Sequence, residues 1–218
     1  MRALIVGAGA QGRVILDILR SQGGYQSIGF VDDNPELWGS EINGARIECG
    51  LDAAIATPAG LKMIVALGNP EVRLALCRKI CNAGVPLLNA VHTSAVVMPS
   101  ASLGSGIMVG ATAVLNSNAR IGNAVIINTG AVVEHDCDLG DGSAVSPGAH
   151  LGGRVRLGSC AFIATGAIVL SRVSIGEKSV LAAGSVLTKD LPDRVLAMGV
   201  PAKISEELSA DFDWCRVL

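Results

Sequence analysis

The sequence predicts two parts: an α/β domain over residues 1–88, then an all-β parallel β-helix with a C-terminal tail over residues 89–218. Three observations predict it. Before residue 88, short apolar runs alternate with helical patterns. From Val91 onward, an aliphatic residue recurs at every sixth position without an insertion. Aromatic residues make up only 3% of a chain that is 50% hydrophobic, so the interior must be narrow and packed with Val, Ile, Leu and Ala.

The first element is a strand over residues 2–7, followed by Gly7-Ala8-Gly9-Ala10-Gln11-Gly12 and a helix carrying Val14, Ile15, Ile18 and Leu19. A second strand, Ser27 to Val31, ends in Asp32-Asp33. A third, Ile64 to Leu67, ends in Gly68-Asn69-Pro70. The following helix carries Val72, Leu76 and Ile80, with Cys77 and Cys81 on one buried face. Gly-x-Gly-x-x-Gly after a strand, with an acid about 20 residues on, fits a Rossmann-like turn. The segment has room for only one mononucleotide half of that fold, so a mononucleotide-like ligand is expected. Backbone N–H groups at the helix start suit a phosphate, and Asp32 and Asp33 stand where a base or ribose would be met.

In the second part, 17 consecutive hexad positions from Val91 to Leu187 are Val, Ile or Leu. The position four further on is nearly always small, as at Ala113, Ala131, Cys137 and Ser143. Gly follows the aliphatic residue with period 18, at Gly104, Gly122, Gly140, Gly158 and Gly176. Six residues make one short strand and a turn, and three such units make a triangular coil, so about five coils follow. The period-18 glycines mark one corner, where a tight turn leaves no room for a Cβ.

Net charge is −2 with no basic block, which leaves no footprint for nucleic acid. The opening MRALIVGAGA is too short for a signal sequence, and no stretch is long enough to span a membrane. The six cysteines form no C-x-x-C pair, and a reducing, cytoplasmic setting is expected. Among three histidines, His135 lies in mid-helix between Glu134 and Asp136, where a carboxylate can fix the imidazole tautomer.

Taken together, IVGAGAQG, FVDDNP, VALGNPEVR, INTGAVVEHDCDLGDGSAVSPGA and GVPAK resemble one family over nearly the whole chain. It is the hexapeptide-repeat sugar acetyltransferases, which include sialic-acid O-acetyltransferases and bacterial UDP- or GDP-amino-sugar N-acetyltransferases. The resemblance implies a left-handed β-helix, acetyl-CoA as co-substrate, no metal, and a homotrimer with active sites between subunits. It implies N-acetylation of a nucleotide-linked amino sugar for glycan synthesis, with O-acetylation of a sialic acid as the alternative. His135 matches the catalytic histidine of the EHDC motif and Asp136 its acidic partner. Gly153, 18 residues on, matches the residue beside the acetyl group, and Asn128 a polar position that contacts the sugar. The acceptor would meet Gly7, Gly9, Gln11, Gly12, Asp32, Asp33, Gly68, Asn69 and Arg73. CoA would pass Ala164, Thr165 and Ala183 and reach Pro201 and Lys203. The chain departs from relatives that carry histidine at Gln11 and at Ala144. A metal-dependent hydratase would need three histidines with two close together, which His92, His135 and His150 are not. A nicotinamide-binding or purely assembling protein is the remaining class, and an intact acetyl-CoA site would argue against it.

Overall fold

The computed structural model of the chain describes residues 1–57 and 60–216, without the side chain of Cys215. Its first part is a five-stranded sheet with helices. In chain order the elements are β1 (Arg2–Val6), α1 (Ala10–Gln22), β2 (Ser27–Val31), β3 (Glu41–Ile42), β4 (Ala45–Cys49), α2 (Leu51–Ala56), β5 (Leu61–Val65) and α3 (Pro70–Asn82). The strand order is β3-β4-β2-β1-β5, parallel except for the β3–β4 hairpin. The third strand therefore begins three residues before the expected Ile64, directly after Gly60 at positive φ. The β3–β4 hairpin and α2 extend the sheet beyond the three strands expected.

Helix α3 turns a different face inward from the one expected. Its buried stripe is Pro70, Arg73, Leu74, Cys77 and Ile80, whereas Val72 and Cys81 are exposed. An arginine anchors that stripe, so a pattern read from apolar residues alone is rotated around the helix.

The second part is a parallel β-helix. Two-residue strands alternate an outward residue with an inward aliphatic one, and each as far as Ile168–Val169 pairs with the strand 18 residues on without a register shift. Five full coils run from Ala90–Val91 to Ser174–Ile175, and two more strands follow. Inward aliphatics, with Ala113, Ala131, Cys137 and Ala149 at the corners, form one continuous core. The chain then leaves by an antiparallel hairpin, Val195–Gly199 with Ala202–Glu207.

The corners correct the reading of the period-18 glycines. Left-handed φ falls three residues after the aliphatic position, at Thr112, Asn118, Asp136, Arg154 and Arg172 among others. Gly104, Gly122, Gly140, Gly158 and Gly176 are not in that region. A Cβ on Gly140 would lie 2.8 Å from Ser159 N of the next coil, and one on Gly158 would lie 2.5 Å from Glu177 N. Close stacking between coils, not a tight turn, requires glycine there.

The three faces of the prism differ. On the covered face, Ala90, Met108, Ile126, Ala144 and Phe162 pack with Ile15, Ile18 and Leu19 of α1 in one core. The apolar face presents Val96, Val114, Val132, His150, Ile168 and Val186 to the outside. The polar face presents Ser102, Arg120, Asp138, Arg156 and Ser174.

Candidate active site

His135 lies at the edge between the apolar and polar faces, directly after the strand Val132–Val133. Its Nδ1 lies 2.9 Å from Asp136 Oδ2. A carboxylate only accepts at neutral pH, so Nδ1 carries the proton of the neutral ring and Nε2 holds the free lone pair. Asp136 is held in place from the preceding coil, where Asn118 Nδ2 donates to its Oδ1 at 3.2 Å. These bonds, that from His135 first, hold the Asp136 carboxyl below its ordinary range, with Arg154 adding to the effect.

Gly153 lies one coil on, under the imidazole. A Cβ there would fall 2.6 Å from His135 Nε2 and 2.7 Å from Cε1. Any side chain would take the space the ring occupies. Among the described residues, the Gly153 N–H donates to no protein acceptor. His135, Gly153, Arg154, Ser171 and Arg172 surround a hollow of about 340 Å³. Cys137 is near in sequence but points inward. Its thiol donates to Gly152 O at 3.2 Å, and burial pushes its pKa up, so it offers no nucleophile here.

A second concavity, of about 470 Å³, opens between the two parts of the chain. Ala10, Gln11 and Gly68 form one side, and Asn128, Ser146, Pro147, Phe162 and Thr165 the other. Helix α1 starts at this cleft. Its N-cap is Gly9, with no side-chain cap and open space where a Cβ would stand. Gly7 adopts φ +106, and a Cβ on Gly12 would lie 2.2 Å from Gly7 O. These two glycines shape the turn, while Gly9 leaves its approach open.

Several expected acceptor residues have their side chains engaged elsewhere. Asp32 accepts from Ala8 N–H at 2.9 Å and Asn34 N–H at 3.0 Å, which ties the Gly-rich turn to β2. Asp33 accepts from Leu51 N–H at 2.8 Å, at the start of α2. Asn69 caps α3 through Glu71 and Val72 N–H. Arg73 cannot touch a ligand: it is 1% exposed, and its guanidinium donates to the carbonyls of Leu67, Gly68, Ala124, Gly142 and Ser143. It pins the Gly68 turn to the β-helix instead.

Of the expected CoA residues, Thr165 and Ala183 stack one coil apart, exposed at the edge between the covered and apolar faces, and Ala164 is buried in the core. Pro201 and Lys203 are exposed on the closing hairpin. Asn128 lies on the same edge as Thr165, and its Oδ1 accepts from Thr129 N–H at 2.8 Å. His135 lies one face away from Asn128, Gln11 and Gly68. The sequence reading missed Ser146, Pro147 and Phe162 at the cleft and Arg154 and Arg172 beside His135.

Known proteins share this fold. A family model described as the PglD N-terminal domain matches residues 2–80. PerB from Caulobacter crescentus, solved with CoA and GDP-perosamine, is 40% identical over 94% of this chain and 98% of its own, with a TM-score of 0.88. A histidine-to-alanine form of GDP-perosamine N-acetyltransferase from the same organism, with the same two ligands, is 39% identical over 95% and 98%, with a TM-score of 0.89. The acetyltransferase domain of PglB from Neisseria gonorrhoeae, with acetyl coenzyme A, is 32% identical over 94% and 98%, with a TM-score of 0.89. Fold and site together define a left-handed β-helix acyltransferase with a Rossmann-like N-terminal domain. Within that class the chain belongs to the hexapeptide-repeat nucleotide-amino-sugar N-acetyltransferases.

Proposed function

We propose that the chain transfers acetyl from acetyl-CoA to the amino group of a UDP- or GDP-linked sugar, directly and with His135 as general base. The carrying observation is the imidazole fixed by Asp136 with Nε2 free above Gly153. The neutral amine attacks the thioester carbonyl as Nε2 takes its proton, a C–N bond forms, and the C–S bond breaks to release CoA. The unpartnered Gly153 N–H is the donor for the oxyanion that forms in between.

Residues 1–88 serve the acceptor and residues 89–218 the donor. The uncapped start of α1 takes the diphosphate, because free N–H groups at a helix N-terminus favour anions. Gln11, Gly68 and Asn128 meet the sugar in the cleft. Asp32 serves by holding the turn. CoA runs past Thr165 and Ala183 towards Pro201 and Lys203.

Cleft and base lie on different edges of one prism, so a complete site needs a second copy. The outward row Val96, Val114 and Val132, continued past His150 by Ile168, supports contact between copies, since outward apolar side chains favour burial and Val96 and Ile168 are exposed. A homotrimer brings the cleft edge of one chain to the His135 edge of the next.

The test is a CoA-release assay against a panel of UDP- and GDP-amino sugars and free sialic acids, with His135→Ala as control. Acetylation of a nucleotide amino sugar, lost in the control, is the expected result. Full activity in His135→Ala would sink the mechanism, and acetylation of free sugars alone would sink the docking scheme.

A further inference from the structure

Four arginines, Arg120, Arg154, Arg156 and Arg172, surround an open groove of about 900 Å³ on the polar face and its edge with the apolar face. Two carboxylates stand among them, and both are engaged. Asp138 pairs with Arg120 at 2.8 Å. Asp136 serves His135 and Asn118 and lies 3.6 Å from Arg154. Among the described residues, the side chains of Arg156 and Arg172 make no ion pair or hydrogen bond.

Arg154 and Arg172 occupy the same corner position one coil apart, both at left-handed φ. Strands in register stand about 4.8 Å apart, and like charges that close repel. An anion between them would relieve that repulsion. The other groove walls are largely serine hydroxyls, Ser100, Ser102 and Ser174, which also donate to oxyanions. Guanidinium groups with hydroxyls match the oxygens of a phosphate. Arg154 and Arg172 also line the hollow that holds His135 and Gly153. The groove therefore opens onto the reaction centre.

The geometry points to a phosphate-binding groove, centred on Arg172 with Arg154 and Arg156, that anchors a phosphoryl group of a co-substrate beside His135. The identity of that co-substrate rests on the reaction proposed above; the site itself rests on the arginines. CoA carries a 3′-phosphate and a diphosphate, and a nucleotide-linked sugar carries a diphosphate, so the chemistry is shared.

Titration calorimetry tests the site without turnover. The ligands are CoA, 3′-dephospho-CoA, GDP, UDP and pyrophosphate, and the proteins are the wild type and an Arg156→Ser/Arg172→Ser variant. Both positions are exposed, so the variant keeps its fold. At least one ligand is expected to bind the variant roughly tenfold more weakly, as loss of charged hydrogen bonds requires. Added salt will weaken that ligand in the wild type. A loss confined to CoA assigns the 3′-phosphate, and an equal loss for CoA and 3′-dephospho-CoA assigns its diphosphate. A loss for GDP or UDP assigns the acceptor's diphosphate to the groove and removes it from the start of α1. Unchanged affinity for all five ligands overturns the proposal. So does an altered sedimentation coefficient with unchanged affinities, which would make the groove a contact between copies. Arginine-dependent binding in a protein that transfers no acetyl would uphold the groove and defeat the functional reading.

Discussion

Gly153→Ala isolates the position of the base from the stability of the fold. The new Cβ would stand 2.6 Å from His135 Nε2, where carbon contacts settle at about 3.5 Å, so the ring must retreat by roughly 1 Å. Gly153 does not adopt positive φ, so alanine fits the backbone without strain. The side chain of His135 is 53% exposed and free to swing outward, at the expense of its bond to Asp136. A shift of about 1 Å in a reacting group lowers rate by about 100-fold. Steady-state kinetics and thermal unfolding read the two effects separately: kcat is expected to fall by about that factor while the midpoint moves by less than about 2 °C. Gly152→Ala is the contrast. Its Cβ would meet Ser171 N at 2.7 Å, which is backbone of the next coil and cannot swing away. That variant loses stability. Wild-type kcat in Gly153→Ala, or a loss explained by unfolding equal to that of Gly152→Ala, would refute the reasoning.

Three further outcomes follow from hydrogen-bond geometry. Arg73→Met fills much of the volume but strands the carbonyls of Leu67, Gly68, Ala124, Gly142 and Ser143, and should lower unfolding free energy by about 3–5 kcal/mol in urea titrations, with Arg73→Lys intermediate. Burial lowers the Arg73 pKa only to about 10, so the side chain is charged throughout those experiments. Asp136→Asn frees His135 to take the other tautomer and should lower kcat by about tenfold or more at unchanged stability. Because the Asp136 pKa is depressed, its ionised contacts persist below the usual carboxylate range and are lost only as pH falls through the lowered value. Asn118→Ala removes one cause and should raise the Asp136 midpoint towards its ordinary value, read by carboxyl carbon NMR.

The β-helix was legible because its repeat is its geometry: 18 residues make a coil, so register and core follow from counting. Its three faces were equally present in the sequence. The residue before each aliphatic position is apolar at Met108, Ile126 and Phe162 but polar at Arg120, Asp138 and Arg156, with period 18. Reading that outer period separates the polar face from the two apolar ones, and it places Asn128 and His135 on different edges. Other features were not legible. The β3–β4 hairpin and α2 are short and carry no long periodic pattern, so only tertiary pairing defines them. Asp32, Asp33 and Asn69 look like ligand contacts because strand ends face the crevice, and nothing local shows that each also accepts from backbone N–H groups of nearby turns and helix starts. Arg73 was misplaced because an arginine with a buried guanidinium is rare, and nothing local shows that five carbonyls converge on it.

The separation of cleft and base by one face makes a quantitative demand on the assembly. Gln11→Trp should block the cleft, and His135→Ala should remove the base, so each variant alone has no working site. If each site takes its cleft from one chain and its base from the next, a mixed oligomer contains sites with both parts intact. After unfolding and random reassembly of equal amounts, about a quarter of sites pair the intact cleft of a His135→Ala chain with the intact base of a Gln11→Trp chain. Activity should therefore return to about a quarter of the wild-type value, and refolding either variant alone should restore none. A charge placed in the apolar row, as in Val132→Asp, should prevent assembly and abolish the recovery, with sedimentation confirming smaller species. A mixed preparation that assembles normally yet stays inactive would mean that base and cleft are joined within one chain, and the arrangement of faces would then require a large movement of the N-terminal domain around the prism.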